Sequence, residues 1–141
     1  MDVLIFLAMW LVGFIILVIG DTIWLGYILS DMIKKDFKPY IEIKNGKTQM
    51  RLGIGLLAWA IISLGVVFFV SLNATSLIQA LSLGAFFGFI LYACYDLTNY
   101  TFFMKYSKRF VIIDIIWGSI ICSFIAVGGF LTKNMLTGGI L

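Results

Sequence analysis

Four long blocks of apolar residues, separated by shorter polar segments, set the pattern of this chain. The blocks cover Val3–Leu29, Gly53–Ser71, Leu77–Phe103 and Phe110–Leu131. A helix needs about 20 apolar residues to cross the roughly 30 Å hydrocarbon core of a bilayer, and each block approaches or exceeds that length. The pattern predicts an all-α, integral membrane four-helix bundle that forms one transmembrane domain over residues 1–141, with a loop at 30–52.

The composition supports a membrane protein and narrows its chemistry. Of the 141 residues, 62% are hydrophobic and 12% are charged, whereas soluble domains carry about 25% charged residues. The first block lacks the basic leading segment of a signal peptide, so we expect a retained helix. The chain has no histidine, the commonest general base and metal ligand, and Cys94 and Cys122 lie inside apolar blocks. We expect no metal, cofactor or nucleic acid, and a divalent ion held by aspartate oxygens stays open only as part of an enzymatic hypothesis.

Basic residues predict the orientation of the bundle. Nine of the ten lie in the two connections at one end: Lys34, Lys35, Lys38, Lys44, Lys47, Arg51, Lys105, Lys108 and Arg109. Only Lys133 belongs to the other end. Because loops rich in Lys and Arg stay in the cytoplasm, we predict cytoplasmic basic loops, with both termini outside.

The first connection, 30–52, is the longest extramembrane segment. Asp31–Phe37 can continue the first helix along the membrane surface, and Pro39 then ends it. Asn45-Gly46 follows an alternating segment and is typical of a tight hairpin turn.

Three aspartates, Asp21, Asp96 and Asp114, lie within apolar blocks. A carboxylate at the bilayer centre costs roughly 2.5–3.5 kcal/mol on insertion scales, so such residues usually face the interior and mark a functional site. In the predicted topology all three lie in the cytoplasmic half at similar depth. We therefore expect one shared polar pocket that faces the cytoplasm.

Helical spacing predicts which residues accompany these acids. In the third helix, Gly84, Gly88, Tyr92 and Asp96 follow one another at steps of four, with Asn99 three residues further. In the fourth helix the corresponding stripe is Asp114, Gly118, Cys122 and Ala126. Small residues allow neighbouring helices to approach closely, so each stripe predicts tight packing that opens into a polar patch.

The first and fourth helices share an Asp-x-x-Trp spacing. Trp24 follows Asp21 and Trp117 follows Asp114 by three residues, which puts each indole on the face of its carboxylate. Both tryptophans are equally typical of an interfacial aromatic belt. Arg51, at the start of the second helix, is either a counter-ion for the acids or a residue that reaches to lipid phosphates.

Tyr92–Asn99, with its Tyr-Asp-Leu-Thr-Asn sequence, is followed by Val111–Gly118, which contains Asp114 and Trp117. Together with Asp21-x-x-Trp24-Leu25-Gly26, these stretches resemble a widespread family of bacterial four-helix membrane proteins known as a domain of unknown function. The resemblance covers nearly the whole chain and implies a multi-pass protein of the bacterial cytoplasmic (inner) membrane. It implies no activity.

Three hypotheses about function follow. The first is binding of a small or amphipathic ligand, a cation or a lipid in the pocket, extended in one version to proton-linked transport by a homo-oligomer. The second is a lipid-modifying enzyme, which the absence of histidine and of an Asp-x-x-Asp pair disfavours. The third is an accessory subunit whose acids pair with its own helices or with a partner.

Overall fold

A computed structural model describes residues 2–139 and contains four long helices. Helix α1 is Val3–Ile23 and continues as one π-helical turn, Trp24–Ile28. Helix α3 is Leu52–Val66 with a π-helical turn at Val67–Ser71, α4 is Leu77–Phe102, and α5 is Lys108–Thr137. Within the described residues these four helices are long and apolar enough to cross a membrane, which confirms the prediction of four spans. The last helix extends beyond its predicted bounds at both ends.

Side chains at the helix ends explain where the helices begin and stop. Asp2, Ser76 and Ser107 each accept a hydrogen bond from a backbone N–H of the first turn, which satisfies a donor that has no partner inside the helix. Gly138 ends α5 in the left-handed conformation with a φ of 67°, where glycine has no steric penalty.

Helix α2 and a small hairpin form the connection between α1 and α3. Helix α2 is Ser30–Asp36, close to the predicted surface helix. Strands β1 (Ile43–Lys44) and β2 (Lys47–Thr48) pair antiparallel, with Ile43 opposite Thr48. Positive φ values at Asn45 and Gly46, 51° and 72°, give the expected two-residue turn.

Helix α5 lies at the centre of the bundle. Half of its apolar window is buried, against 17–22% for the other three spanning helices. Its closest neighbour is α4: a Cβ atom on Gly84 would lie 2.7 Å from the Ala126 side chain, and one on Gly88 would overlap the backbone of Gly118. Both predicted stripes therefore meet in one interface, and only glycine permits the close approach.

The core between α1, α3 and α5 is apolar and is filled by residues from all three helices. Met9, Leu17, Val66, Val67 and Ile125 are fully buried in it. The indole N–H of Trp10 donates to the Ala60 carbonyl oxygen at 3.0 Å and ties α1 to α3.

We call the end that carries loops 29–51 and 103–107 the basic end. At the opposite end, the π-helical turn Val67–Ser71 packs against α4 and α5, whereas Leu52–Val66 packs mainly on α1 and has no extended contact with α4. Helices α3 and α4 therefore diverge toward the basic end.

Lys133, the single basic residue of the opposite end, is bound inside the protein. Its Nζ donates to the carbonyl oxygens of Leu72 and Ala74 at 3.0 and 2.9 Å, which closes the loop between α3 and α4. The lysine therefore fixes the end at which α3 and α4 meet.

Candidate functional site

The three intramembrane aspartates come together on the basic half of the bundle. Asp21, Asp96 and Asp114 are 5%, 0% and 7% exposed, so none of them faces lipid. Asp114 has the carboxyl groups of both Asp21 and Asp96 as near neighbours. The expectation that α1, α4 and α5 direct their acids toward one place agrees with this geometry.

Asp21 is held by a tryptophan of another helix. The Nε1–H of Trp117 donates to Oδ1 of Asp21 at 2.8 Å, and the Trp117 ring stacks on Trp24 with centroids 4.4 Å apart and planes within 8°. Three residues of helix rise about 4.5 Å, and α1 and α5 run antiparallel, so each indole comes level with the other helix's aspartate. The sequence predicts that each indole lies beside the carboxylate of its own helix. In the structure, the observed hydrogen bond instead joins Trp117 of α5 to Asp21 of α1.

A local change of helix geometry accompanies this arrangement. The π-helical turn Trp24–Ile28 begins at the stacked tryptophan, and the N–H of Leu29 bonds to the Trp24 carbonyl oxygen five residues back. Single π-helical turns of this kind frequently occur at functional sites because they rotate the side chains that follow them. The Nε1–H of Trp24 is buried beside the Asp114 carboxyl, without a hydrogen bond of ordinary geometry to any described residue.

Asp96 lies behind the other two acids. Its Oδ1 accepts a hydrogen bond from the Tyr106 hydroxyl at 2.9 Å, while its buried Oδ2 has no donor. That carboxyl group lies beside the carboxyl of Asp114, close enough for a hydrogen bond whenever one of the two carries a proton. Burial, followed by the nearby charge of Asp96, raises the pKa of Tyr106 above its usual range, so this phenol stays neutral and keeps donating.

A cavity of about 550 Å³ opens in front of Asp21 and Asp114. Its walls are mainly apolar and aromatic, which is usual for small-molecule sites. Helix α3 contributes Ala58, Trp59 and Ile62, and α4 contributes Leu91, Tyr92 and Tyr95. Because Ala58 and Tyr95 are both exposed, the cavity reaches the gap between the diverging helices.

The surface helix α2 closes the cavity at the basic end. Ile33 and Phe37 line it, and the Phe37 ring packs edge-on against Tyr106 and Phe110 at centroid distances of 5.1 and 4.9 Å. The Ser107 hydroxyl donates to Oδ2 of Asp36 at 2.6 Å. Helix α2 is thus attached to the α4–α5 connection across the mouth of the bundle.

The structure separates the predicted site residues into three groups. Asp21, Tyr92, Asp114 and Trp117 line the cavity. Trp24, Asp96 and Asn99 lie behind it, with the Asn99 side chain beside the Tyr106 hydroxyl. Arg51 is exposed at the start of α3 and forms no salt bridge with a carboxylate in the part of the chain that is described, so its interpretation as a counter-ion is not supported.

Two residues that contribute to the site, Trp59 and Tyr106, have no clear signal in the sequence. Trp59 lines the cavity and lies near the Asp21 carboxylate, but nothing in the apolar α3 block shows which way its helix is rotated. Tyr106 lies in a five-residue connection whose path is set by tertiary contacts. Only the aromatic character of both residues could have pointed to them.

The lining of the cavity presents carboxyl groups, phenols, indoles and apolar surface. No group of three or more His, Cys, Asp or Glu side chains among residues 2–139 could hold a metal ion.

The model of one protein family matches residues 5–131, and its description is "Predicted membrane protein (DUF2177)". The chain belongs to this family. The match confirms the resemblance that the Tyr92–Asn99 and Asp114–Gly118 motifs indicate, and it contains all three aspartates together with Trp24, Trp59 and Trp117. No curated protein and no solved structure matches the chain.

The DUF2177 match and the four apolar helices together establish a multi-pass membrane protein. The family description names no ligand or activity. The cavity beside Asp21 and Asp114 is therefore where a functional hypothesis has to be argued.

Proposed function

We propose that this protein binds an amphipathic molecule, which enters the cavity sideways from the membrane leaflet at the basic end. The observation that carries the proposal is the combination of a cavity of about 550 Å³, a wall with two carboxyl groups, and a gap between α3 and α4 at that level. A site open to lipid admits molecules dissolved in the membrane. A polar wall inside it selects those that carry a polar group.

The shape of the bundle favours this entry route over a pore. Toward the opposite end, glycines at 84, 88 and 129 hold backbone and side chains in direct contact, and a Cβ on Gly129 would lie 2.5 Å from the Ser71 hydroxyl oxygen. At the basic end, α2 lies across the mouth. The gap between α3 and α4 is the route into the cavity that the proposal uses, and an adjacent cavity that shares Asp21, Leu25 and Trp59 extends to the hairpin at the basic end. Because both cavities lie in the basic half, the proposal does not include proton-linked transport.

The proposal also includes an orientation. The basic connections are assigned to the cytoplasmic side by the positive-inside rule, which puts the cavity in the cytoplasmic leaflet of a bacterial inner membrane. The ligand would then come from that leaflet or reach it from the cytoplasm.

Analysis of molecules that co-purify with the protein tests this function. The Ala58→Trp variant fills the gap with an indole, and Leu57→Trp is its matched control because Leu57 is exposed and does not line the cavity. We expect wild type and Leu57→Trp to retain about one chain-bearing molecule per protein after extraction into mild detergent, and Ala58→Trp to lose it. Mass spectrometry of solvent extracts measures both. Equal retention by all three proteins, or none by wild type, would contradict the proposal.

A further inference from the structure

The carboxyl groups of the cavity wall lack a cationic partner within the described residues. Within residues 2–139 the neighbours of the Asp114 carboxyl include the neutral indole N–H of Trp24 and the carboxyl of Asp96, but it accepts no hydrogen bond of ordinary geometry from either. Asp114 is nonetheless more than nine-tenths buried and lines the cavity. Asp21 accepts a hydrogen bond from the neutral indole N–H of Trp117, and its other close donor is the neutral indole of Trp59. An ionised carboxylate held out of water needs a positive partner, because the desolvation penalty is otherwise several kcal/mol.

The nearest basic side chains do not supply that partner. Arg51 is exposed, and Lys34 lines an adjacent cavity that shares Asp21 with the central one. The Lys34 Nζ lies 3.7 Å from Asp31, and among the described residues it forms no salt bridge with Asp21. Lys47 is also in that adjacent cavity and is exposed at the hairpin. No Lys or Arg lines the central cavity, so a phosphate or carboxylate headgroup would meet only negative and neutral groups there.

Aromatic rings form much of the remaining wall. Trp59, Tyr92, Tyr95, Phe37, Phe110 and Trp117 all face the same space. The faces of such rings attract cations, by about 0.5–2 kcal/mol for each favourable contact. Carboxylates and aromatic faces together favour a positive charge far more than they favour a neutral or negative one.

We infer that the polar group recognised in this cavity is an ammonium group with N–H donors, carried on a single alkyl chain. The inference rests on the function proposed above and names its ligand class. The ammonium would donate to Asp114 and to the free lone pairs of Asp21, and the chain would lie along Leu91 and Ile62 toward the gap between α3 and α4. A volume of about 550 Å³ corresponds to roughly 18 water-sized groups at about 30 Å³ each, which accommodates an amine with about twelve carbons.

Equilibrium binding of three radiolabelled probes with the same chain tests the inference. Dodecylamine, dodecanol and dodecanoate are titrated into the protein in phosphatidylcholine nanodiscs, and uptake by empty nanodiscs is subtracted. We expect saturable binding of one dodecylamine per chain, at least tenfold tighter than that of either other probe. Replacing a charge-assisted hydrogen bond by a neutral one weakens affinity by about tenfold to a hundredfold, and we expect that loss in Asp114→Asn.

The variants have their own controls. Asp31→Asn removes a fully exposed carboxylate outside the cavity and should bind dodecylamine like wild type. Asp21→Asn keeps an acceptor for Trp117 and serves as a second cavity variant if Asp114→Asn does not fold, which thermal unfolding in detergent reports. The comparison of the three probes on wild type is informative without any variant.

The outcomes separate the inference from the function on which it rests. Tight dodecylamine binding that Asp114→Asn or Asp21→Asn weakens supports the ammonium assignment. Equal affinity for dodecanol and dodecylamine overturns the assignment and leaves the binding of amphipathic molecules standing. Absence of saturable binding for every probe, together with no co-purified molecule in wild type, overturns both.

Discussion

Single residues of the site differ in how completely the protein satisfies them. Asp21 has a firm donor in Trp117 and Asp96 has one in Tyr106, whereas the indole N–H of Trp24 lies beside Asp114 without a hydrogen bond of ordinary geometry. Buried polar atoms in proteins are nearly always paired, so an incompletely satisfied aspartate at the wall of a cavity favours the binding of another molecule there. This difference among three chemically identical side chains is the basis of the ligand assignment.

Replacing Asp21 tests how much its hydrogen bond contributes. Asp21→Ala leaves the indole N–H of Trp117 without an acceptor, so we expect a loss of about 1–3 kcal/mol in the free energy of unfolding. Asp21→Asn keeps an acceptor oxygen and should lose less. Unfolding of the purified protein in mixed detergent measures both variants. Asp31→Ala, at an exposed site, should keep a free energy of unfolding within about 0.5 kcal/mol of wild type. If Asp21→Ala changes this free energy no more than Asp31→Ala does, the hydrogen bond from Trp117 does not matter for stability.

At the scale of elements, the bundle combines one tight interface with one open one. Helices α4 and α5 are in close contact through Gly84, Gly88 and Gly118, whereas α3 and α4 meet only at one end. The tight interface keeps Asp96 and Asp114 adjacent, and the open one leaves room for the cavity. Helix α2, attached through Asp36 and Ser107, then covers the basic end.

A methyl group at the tight interface should destabilise the fold. In Gly88→Ala the new Cβ would overlap the backbone of Gly118, which we expect to force the helices apart at a cost of about 1–3 kcal/mol. Gly53→Ala is the matched control, because no atom lies within 4 Å of a Cβ there. Thermal unfolding in detergent compares them. A Gly88→Ala protein as stable as the control would contradict the packing of α4 on α5.

The attachment of α2 can be tested separately. Asp36→Ala removes the acceptor of the Ser107 hydroxyl, and a hydrogen bond of about 1 kcal/mol corresponds to a roughly fivefold change in local opening. We expect hydrogen exchange of the amides of Ser30–Asp36 to accelerate by about that factor. Asp31→Ala, on the same helix but free of contact with Ser107, removes only the exposed Asp31–Lys34 pair and should change the exchange by less than about twofold. Similar rates in both variants would show that α2 is held by its aromatic contacts alone.

At the scale of the whole molecule, the distribution of basic residues predicts which end faces the cytoplasm. With both native cysteines replaced, Lys44→Cys should react with a membrane-impermeant maleimide only after the cells are permeabilised. Met135→Cys, exposed at the opposite end, should react in intact cells. Mass-shift labelling measures both positions. The reverse pattern would invert the predicted orientation and assign the cavity to the outer leaflet.

Much of the fold can be predicted from the sequence because it depends on local properties. The length of each apolar block predicts the four spans, and the four-residue spacing from Gly84 to Asp96 predicts the buried face of α4. The hydrogen bond from Trp117 to Asp21 could not be predicted in the same way, since it depends on the vertical register of α1 against α5. The inward position of Trp59 depends on the rotation of α3, for which an almost uniformly apolar block gives no signal.

The central claim is that chains from the bilayer enter the cavity beside Trp117, and fluorescence quenching tests it most directly. In the variant used, Trp10, Trp24 and Trp59 are replaced by phenylalanine, so that Trp117 is the one tryptophan left. This variant is reconstituted in phosphatidylcholine with brominated acyl chains and, separately, in the unbrominated lipid. Bromine quenches an indole only at close range. We predict strong quenching of Trp117 in the brominated bilayer, although its helix is the central one, and loss of that quenching when Ala58→Leu narrows the gap. Trp117 fluorescence that is equal in the two lipids would contradict the claim.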